Sequence, residues 1–314
     1  MKIAWLFPGQ GAQEVGMGKA LAEASEAARG VFARADAALG EPLSALCFEG
    51  PMEALTLTRN TQPALVTASC AALAALRERY PDLPRPAFAA GHSLGEYSAL
   101  VAAGALSLED AVRLCRLRGA AMQEAVPAGE GAMAAVMGVD AATLRELCAE
   151  AAAAAQGEVV SPANYNGPGQ TVIAGHGSAV GRVGELVAQK GGKMVMLKVS
   201  APFHCALMQP AAERLAGPLA ETEMGAFAFP VVANVDGAPN VDGGRARTLL
   251  VEQVASPVQW LRTIERMAEE GVTHALEIGP GKVLAGLVKR ISKQIAVHGV
   301  NDPASVERVG AFLA

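Results

Sequence analysis

The chain has 314 residues, 51% of them hydrophobic and 18% charged, with five cysteines and a net charge of −5. That composition supplies a substantial core and argues against global disorder, and the acidic balance argues against general nucleic-acid binding. The scattered cysteines contain no CxxC pair, which disfavours a disulfide framework or zinc knuckle and suits a reducing, cytoplasmic setting.

The opening MKIAWLFPGQ has too short an apolar part for a signal peptide, and no apolar run approaches the ~18 residues of a membrane span. Residues 2–7 read as a buried strand, PGQGAQ as a loop, and Lys19 to Leu39 as a helix. TRNTQPALVTASCAALAALRERYP starts a second long helix, with Thr61 as its cap and Pro63 in the first turn. AFAA is a strand, GHSLG a turn and EYSALVAAGAL a helix. SLEDAVRLCRLRGAAMQEAV is a helix capped by Ser107 and stopped before Pro127.

From about 129 to 199 the rhythm changes. GAMAAVMGV is a strand, a helix capped by Asp140 follows, then strands EVVSPANYN and QTVIAGH, helix SAVGRVGELVAQKG and strand KMVMLKVS. That order, β-α-β-β-α-β, is ferredoxin-like. After 200, CALMQPAAERLAGPLAE reads as a helix and FPVVANVDG as a strand. SPVQWLRTIERMAEEG reads as a helix capped by Ser256 with Pro257 at its first position. THALEIGPG is a strand and loop, GKVLAGLVKRISKQ a helix and IAVHGV a last strand. The expected fold is α/β: a parallel-sheet domain from residues 1–128 and 200–314, covered on both faces, with a ferredoxin-like subdomain inserted at 129–199.

GHSLGEYSAL (91–100) holds a G-x-S-x-G motif between a strand and a helix. A serine on such a turn presents its hydroxyl above the sheet, and the following N–H groups can serve an oxyanion. The alternative is a turn that merely uses glycine. His92 projects elsewhere from the turn, as a pocket or packing residue. Glu96 reads as a helix-start residue favoured by the dipole.

A serine nucleophile needs a base. His176 and His274 read as structural. His298 ends the last strand, where a hydrolase histidine would sit. His204 lies where the chain re-enters the large domain, and a domain junction suits a ligand cleft. Position favours His204 over His298 without deciding between them. Cys205 beside it reads as a small buried residue. Arg118 is either a surface charge, like Arg113 and Arg116, or a fork for a substrate carboxylate. GQGAQE (9–14) has Glu14 where a dinucleotide loop needs glycine, and GPGKV (279–283) lacks the features of a phosphate loop.

Read together, FPGQGAQEVGMG, TRNTQPAL, GHSLGEYSAL, RLRGAAMQEAVP, NYNGPGQTVIAG, APFHCALMQPAAERL, SPVQW and EIGPGKVLAGLVKR span nearly the whole chain. In that order they resemble the malonyl-CoA:acyl-carrier-protein transacylase family of bacterial type II fatty acid synthesis. The resemblance implies a hydrolase-like α/β domain with a ferredoxin-like subdomain. It implies ping-pong transfer of malonyl from coenzyme A to the phosphopantetheine thiol of holo acyl carrier protein. No metal or organic cofactor is implied.

By the same resemblance Ser93 is the nucleophile and His204 its base. The N–H groups of Gln10 and Leu94 form the oxyanion hole, and Arg118 pairs with the malonyl carboxylate. Gln253 orients His204 through its main-chain carbonyl. His92 and Phe203 line the acyl pocket, with the Leu94 side chain as a further boundary. Phe203 stands where related acyltransferases select against a methyl branch; the typical bacterial enzyme often has serine there. Lys190, Lys193, Lys289 and Arg290 are candidates for docking the carrier, or ordinary surface charges. Two rivals make different predictions. A hydrolase using Ser93 and His298 would be indifferent to Arg118, and a non-catalytic carrier-binding module would never acylate Ser93.

Overall fold

The computed structural model describes every residue except Ala128 and Ser200. The expected junctions at 128 and 200 fall on these two positions, outside the described residues. Strand β1 (Lys2–Phe7) leads into α1 (Lys19–Ala24), α2 (Glu26–Leu39), α3 (Leu43–Glu49), α4 (Met52–Thr56) and α5 (Thr58–Arg79). Next come β2 (Phe88–Gly91), α6 (Gly95–Ala102) and α7 (Leu108–Glu124). A second group follows: β3 (Gly131–Met137), α8 (Ala141–Ala153), β4 (Val160–Gly167), β5 (Gln170–His176), α9 (Gly177–Gln189) and β6 (Lys193–Met196). The last group is α10 (Gln209–Glu221), β7 (Val231–Val232), β8 (Pro239–Asn240), α11 (Gly243–Ala255) and α12 (Trp260–Glu269). It closes with β9 (Val272–Ile278), α13 (Val283–Ile291), β10 (Ala296–Val300), α14 (Pro303–Glu307) and α15 (Val309–Phe312).

Six strands form one sheet in the order β10-β9-β1-β2-β7-β8. All its neighbours are parallel except β7 and β8. Successive side chains on β1 alternate faces, and both faces are covered. Trp5 and Phe7 enter the larger core with α2, α5 and α7. Ala4 and Leu6 enter the opposite core, against Trp260 and Ile264 of α12 and Leu284 of α13. Phe7 lies opposite Gly91 in register. The loop after β1 and the turn after β2 therefore leave the sheet side by side, at the carboxyl ends where α/β folds bind ligands.

The second sheet, β4-β5-β3-β6, is antiparallel. Its Ala134, Val136 and Ile173 bury against Leu144 of α8 and Val183 of α9. One bridge ties it to the large sheet's side: Val258 N donates to Ala163 O and Tyr165 N donates to Val258 O, both at 2.9 Å.

Several local expectations are corrected. The helix expected over Lys19–Leu39 is two, because Ser25 turns extended and caps α2 by accepting from Ala28 N. Two short helices, α3 and α4, were not read from the sequence. Thr61 is not a cap: α5 already begins at Thr58, and the Thr61 hydroxyl donates to Leu55 O at 2.6 Å. Ser256 ends α11 rather than starting α12, which begins at Trp260. A proline suits a first helical turn and an extended segment equally, and it pushes the residue before it into the extended region. Ser256 is extended, at φ −115° and ψ 151°. No helix among the described residues is long and apolar enough to cross a membrane. All five cysteines are free and buried.

Candidate active site

The turn at Ser93 is forced by its two glycines. A Cβ on Gly91 would stand 1.9 Å from the Gly95 carbonyl carbon, and one on Gly95 would stand 2.3 Å from Phe7 O. Only glycine lets strand, turn and helix close this tightly. Ser93 itself sits at φ 53°, in the left-handed region. Asn234 clamps the turn from outside: its Oδ1 accepts from Ser93 N at 2.6 Å and its Nδ2 donates to Gly91 O at 2.7 Å.

His204 approaches from the other side, and the helix expected to start beside it at Cys205 does not begin there. His204 too has positive φ, 61°, and a short 3-10 turn (Ala206–Met208) precedes α10. Its Nε2 is 2.7 Å from Ser93 Oγ, and its Nδ1 is 2.9 Å from Gln253 O. A carbonyl only accepts, so Nδ1 carries the proton and the neutral ring turns its Nε2 lone pair to the hydroxyl. Burial, then the nearby Arg118 charge, lowers the His204 pKa to about 3. The imidazole is therefore neutral at physiological pH.

Arg118 is 1% exposed and lines the same cavity. Its Nη1 donates to Gln62 Oε1 at 2.8 Å. Its Nη2 donates to Gln253 Oε1 at 2.8 Å and to Ser93 Oγ at 3.1 Å, and its Nε has no partner among the described residues. No carboxylate forms an ion pair with it there. A buried guanidinium held only by amides and a hydroxyl has capacity for an incoming anion.

A cavity of about 640 Å³ opens over these groups, lined by Gln10, Gln62, His92, Met122, Phe203 and others. His92 Nε2 lies 2.8 Å from Asn166 Oδ1, its ring tilts against Trp260, and burial lowers its pKa. The main-chain N–H groups of Gln10 and Leu94 donate to no acceptor among the described residues. The Leu94 side chain is not part of the cavity wall; it packs in the large core. No group of three or more His, Cys, Asp or Glu is placed to hold a metal ion among the described residues.

The other candidates lie elsewhere. His298 bonds Ser305 O at 2.8 Å and stacks on Phe312. His176 Nδ1 accepts from Val159 N. His274 packs its ring edge-on against Phe312. The Cys205 thiol donates to Pro202 O, and burial raises its pKa to about 11. Lys190, Lys193, Lys289 and Arg290 are exposed, and Arg290 donates to Gln170. Sequence reasoning missed Asn234 and Gln62, and took Glu96 for a helix-start residue. Glu96 is instead buried and accepts from Asn234 N at 2.9 Å and Gln253 Nε2 at 2.7 Å.

A serine raised on a strained turn of an α/β sheet, beside a neutral imidazole and a buried cation, has the arrangement that nucleophilic acyl transfer needs. The sequence pattern of the acyl transferase domain matches residues 4–312, and the chain belongs to that family. It is 49% identical over 306 residues to the malonyl CoA-acyl carrier protein transacylase of Escherichia coli K12, covering 97% of each chain. Its identity to the Bacillus subtilis protein of the same name is 48%, over 98% of this chain and 95% of that one. Among solved structures it matches an acyl carrier protein S-malonyltransferase from Vibrio cholerae with a TM-score of 0.94 and 48% identity, covering 98% and 100% of the two chains. It matches equally, at 0.94 and 46% identity over 98% of each chain, a malonyl-transacylase in complex with a type II PKS acyl-carrier protein.

Proposed function

We propose that this protein is an [acyl-carrier-protein] S-malonyltransferase: it moves malonyl from coenzyme A to the phosphopantetheine thiol of acyl carrier protein through a malonyl ester on Ser93. The observation that carries this reading is Arg118, buried 3.1 Å from the serine hydroxyl with no carboxylate partner among the described residues. Its free donor capacity matches a diacid monothioester and not an acetyl group.

His204 Nε2 takes the Ser93 proton as Oγ attacks the thioester carbonyl. The unpaired N–H groups of Gln10 and Leu94 receive the oxyanion, a role worth about 2.7–4 kcal/mol per donor. The C–S bond breaks and the coenzyme A sulfur leaves with the proton from His204. In the second half the carrier thiol gives its proton to His204, its sulfur attacks the malonyl ester, and Ser93 Oγ leaves with that proton. Gln253 O keeps the imidazole in the required tautomer throughout. His92 and Phe203 bound the acyl group, and Phe203 disfavours a methyl branch.

On this reading residues 129–199 form a subdomain with its own sheet and core, and the cavity lies between it and the large domain of 1–128 and 200–314. Lys190, Lys193, Lys289 and Arg290 supply positive charge for the carrier protein. The five free, buried cysteines fit a cytoplasmic enzyme. The test is intact-mass and peptide analysis after mixing with malonyl-CoA. One malonyl on the Ser93 peptide, absent from Ser93→Ala, is expected; acylation elsewhere or none overturns the reading.

A further inference from the structure

Glu96 has no part in the steps above, yet the chain buries it to 3% exposure, three residues after Ser93. Its side chain does not serve its own helix. Oε2 accepts instead from two residues distant in sequence, Asn234 N at 2.9 Å and Gln253 Nε2 at 2.7 Å. Burying a carboxylate without a cation in direct contact is costly, so packing alone does not account for it.

The second of those bonds decides the orientation of an amide. Gln253 Oε1 faces Arg118 Nη2 at 2.8 Å, and Gln253 Nε2 faces Glu96 Oε2 and Ser93 O, the latter at 3.1 Å. A guanidinium only donates and a carboxylate only accepts. An amide turned over would set donor against donor at Arg118 and acceptor against acceptor at Glu96. The Arg118 donor and the Glu96 acceptor oxygen, which Asn234 N also engages, therefore fix Gln253 from opposite ends.

We propose that Glu96 is a positioning residue for carboxylate recognition: by accepting from Gln253 Nε2 it locks the amide whose Oε1 holds Arg118 beside Ser93. The proposal rests on Arg118 receiving the malonyl carboxylate, and the test separates the two. Single-turnover acylation of Ser93 is measured with malonyl-CoA and with acetyl-CoA, which lacks the carboxylate. The ratio of the two rates is the readout, because a merely structural defect lowers both alike.

Glu96→Ala should lower the malonyl-to-acetyl ratio by roughly tenfold or more, while Glu96→Gln, which keeps an acceptor oxygen, should hold it within about threefold of wild type. Where Glu96→Ala fails to fold, Glu96→Asp, which withdraws the acceptor by one methylene, takes its place with the same expectation. Parallel loss with both donors, or a Glu96→Gln ratio as low as that of Glu96→Ala, overturns the proposal while leaving the function intact. Arg118→Ala is the control: it should collapse the ratio, and an unchanged ratio there overturns the carboxylate reading and this proposal with it.

Discussion

Ser93 and His204 stand 111 residues apart in sequence, yet both occupy left-handed backbone, at φ 53° and 61°, and their side chains meet at 2.7 Å. Strain of this kind costs about 1–3 kcal/mol per residue and persists only where the surroundings over-determine it. Here the surroundings are the Gly91 and Gly95 contacts, the Asn234 clamp and the Gln253 carbonyl. Ser93→Gly should therefore abolish acylation yet hold or raise the unfolding free energy, by up to about 1 kcal/mol, since glycine adopts this φ freely. Denaturant unfolding checks it; a loss of more than about 2 kcal/mol would show that the turn is not strained.

Arg118 is expected to act as a fork and not merely as a charge. Arg118→Lys keeps the charge but loses the planar donors that Gln62 and Gln253 hold. Its kcat/KM with malonyl-CoA should fall by about 2–4 kcal/mol, or roughly 30- to 1,000-fold. Activity within threefold of wild type would contradict this.

The turn around Ser93 was legible in the sequence because everything it needs is local: a strand, two glycines and a helix within ten residues. The two-sheet architecture was legible for the same reason, through periodicity and punctuation. The partners of Ser93 were not. Asn234 follows a strand of only two residues, and Gln62 is one polar side chain among several at the start of α5. Neither carries a signal until the sheet register brings them to one place. Glu96 misled because a glutamate in a first helical turn is ordinary; its side chain turns away from that helix to residues 138 and 157 positions on. Pro257 misled because the same fixed φ serves both a helix start and the extended bridge to Ala163.

Glu96 and His204 act oppositely on the pH dependence of stability. Burial raises the Glu96 carboxyl from 4.5 to about 7, so its contribution is full below about 4.5 and is lost as pH rises through 7. Burial and Arg118 lower His204 from 6.5 to about 3, so its contribution is full above 6.5 and is lost as pH falls towards 3. Raising the pH from about 5 to about 8 should therefore lower the wild-type melting temperature relative to that of Glu96→Gln. Curves that stay parallel over that range would mean Glu96 titrates normally.

The same lowering of His204 makes a kinetic prediction. In the Glu96→Gln background, where that carboxyl no longer titrates, acylation by malonyl-CoA should hold its rate from about pH 7.5 to about pH 5.5. A half-loss centred near 6.5, the ordinary histidine value, would show the imidazole titrating as if exposed.

Phe203 lines the cavity beside His204. Phe203→Ser should improve methylmalonyl-CoA relative to malonyl-CoA by about 1–3 kcal/mol, the usual worth of one methyl in a pocket. Competition between the two thioesters measures it, and an unchanged ratio would remove Phe203 from the selection of the acyl group.

The most direct test of the central claim is the fate of the isolated malonyl-enzyme. Protein acylated with radiolabelled malonyl-CoA and freed of excess donor is divided between buffer and buffer containing holo acyl carrier protein. Label should persist on Ser93 in buffer and move to the carrier thiol when the carrier is added, with no transfer from His204→Ala. Label released to water at the same rate with or without the carrier would contradict it and make the protein a hydrolase.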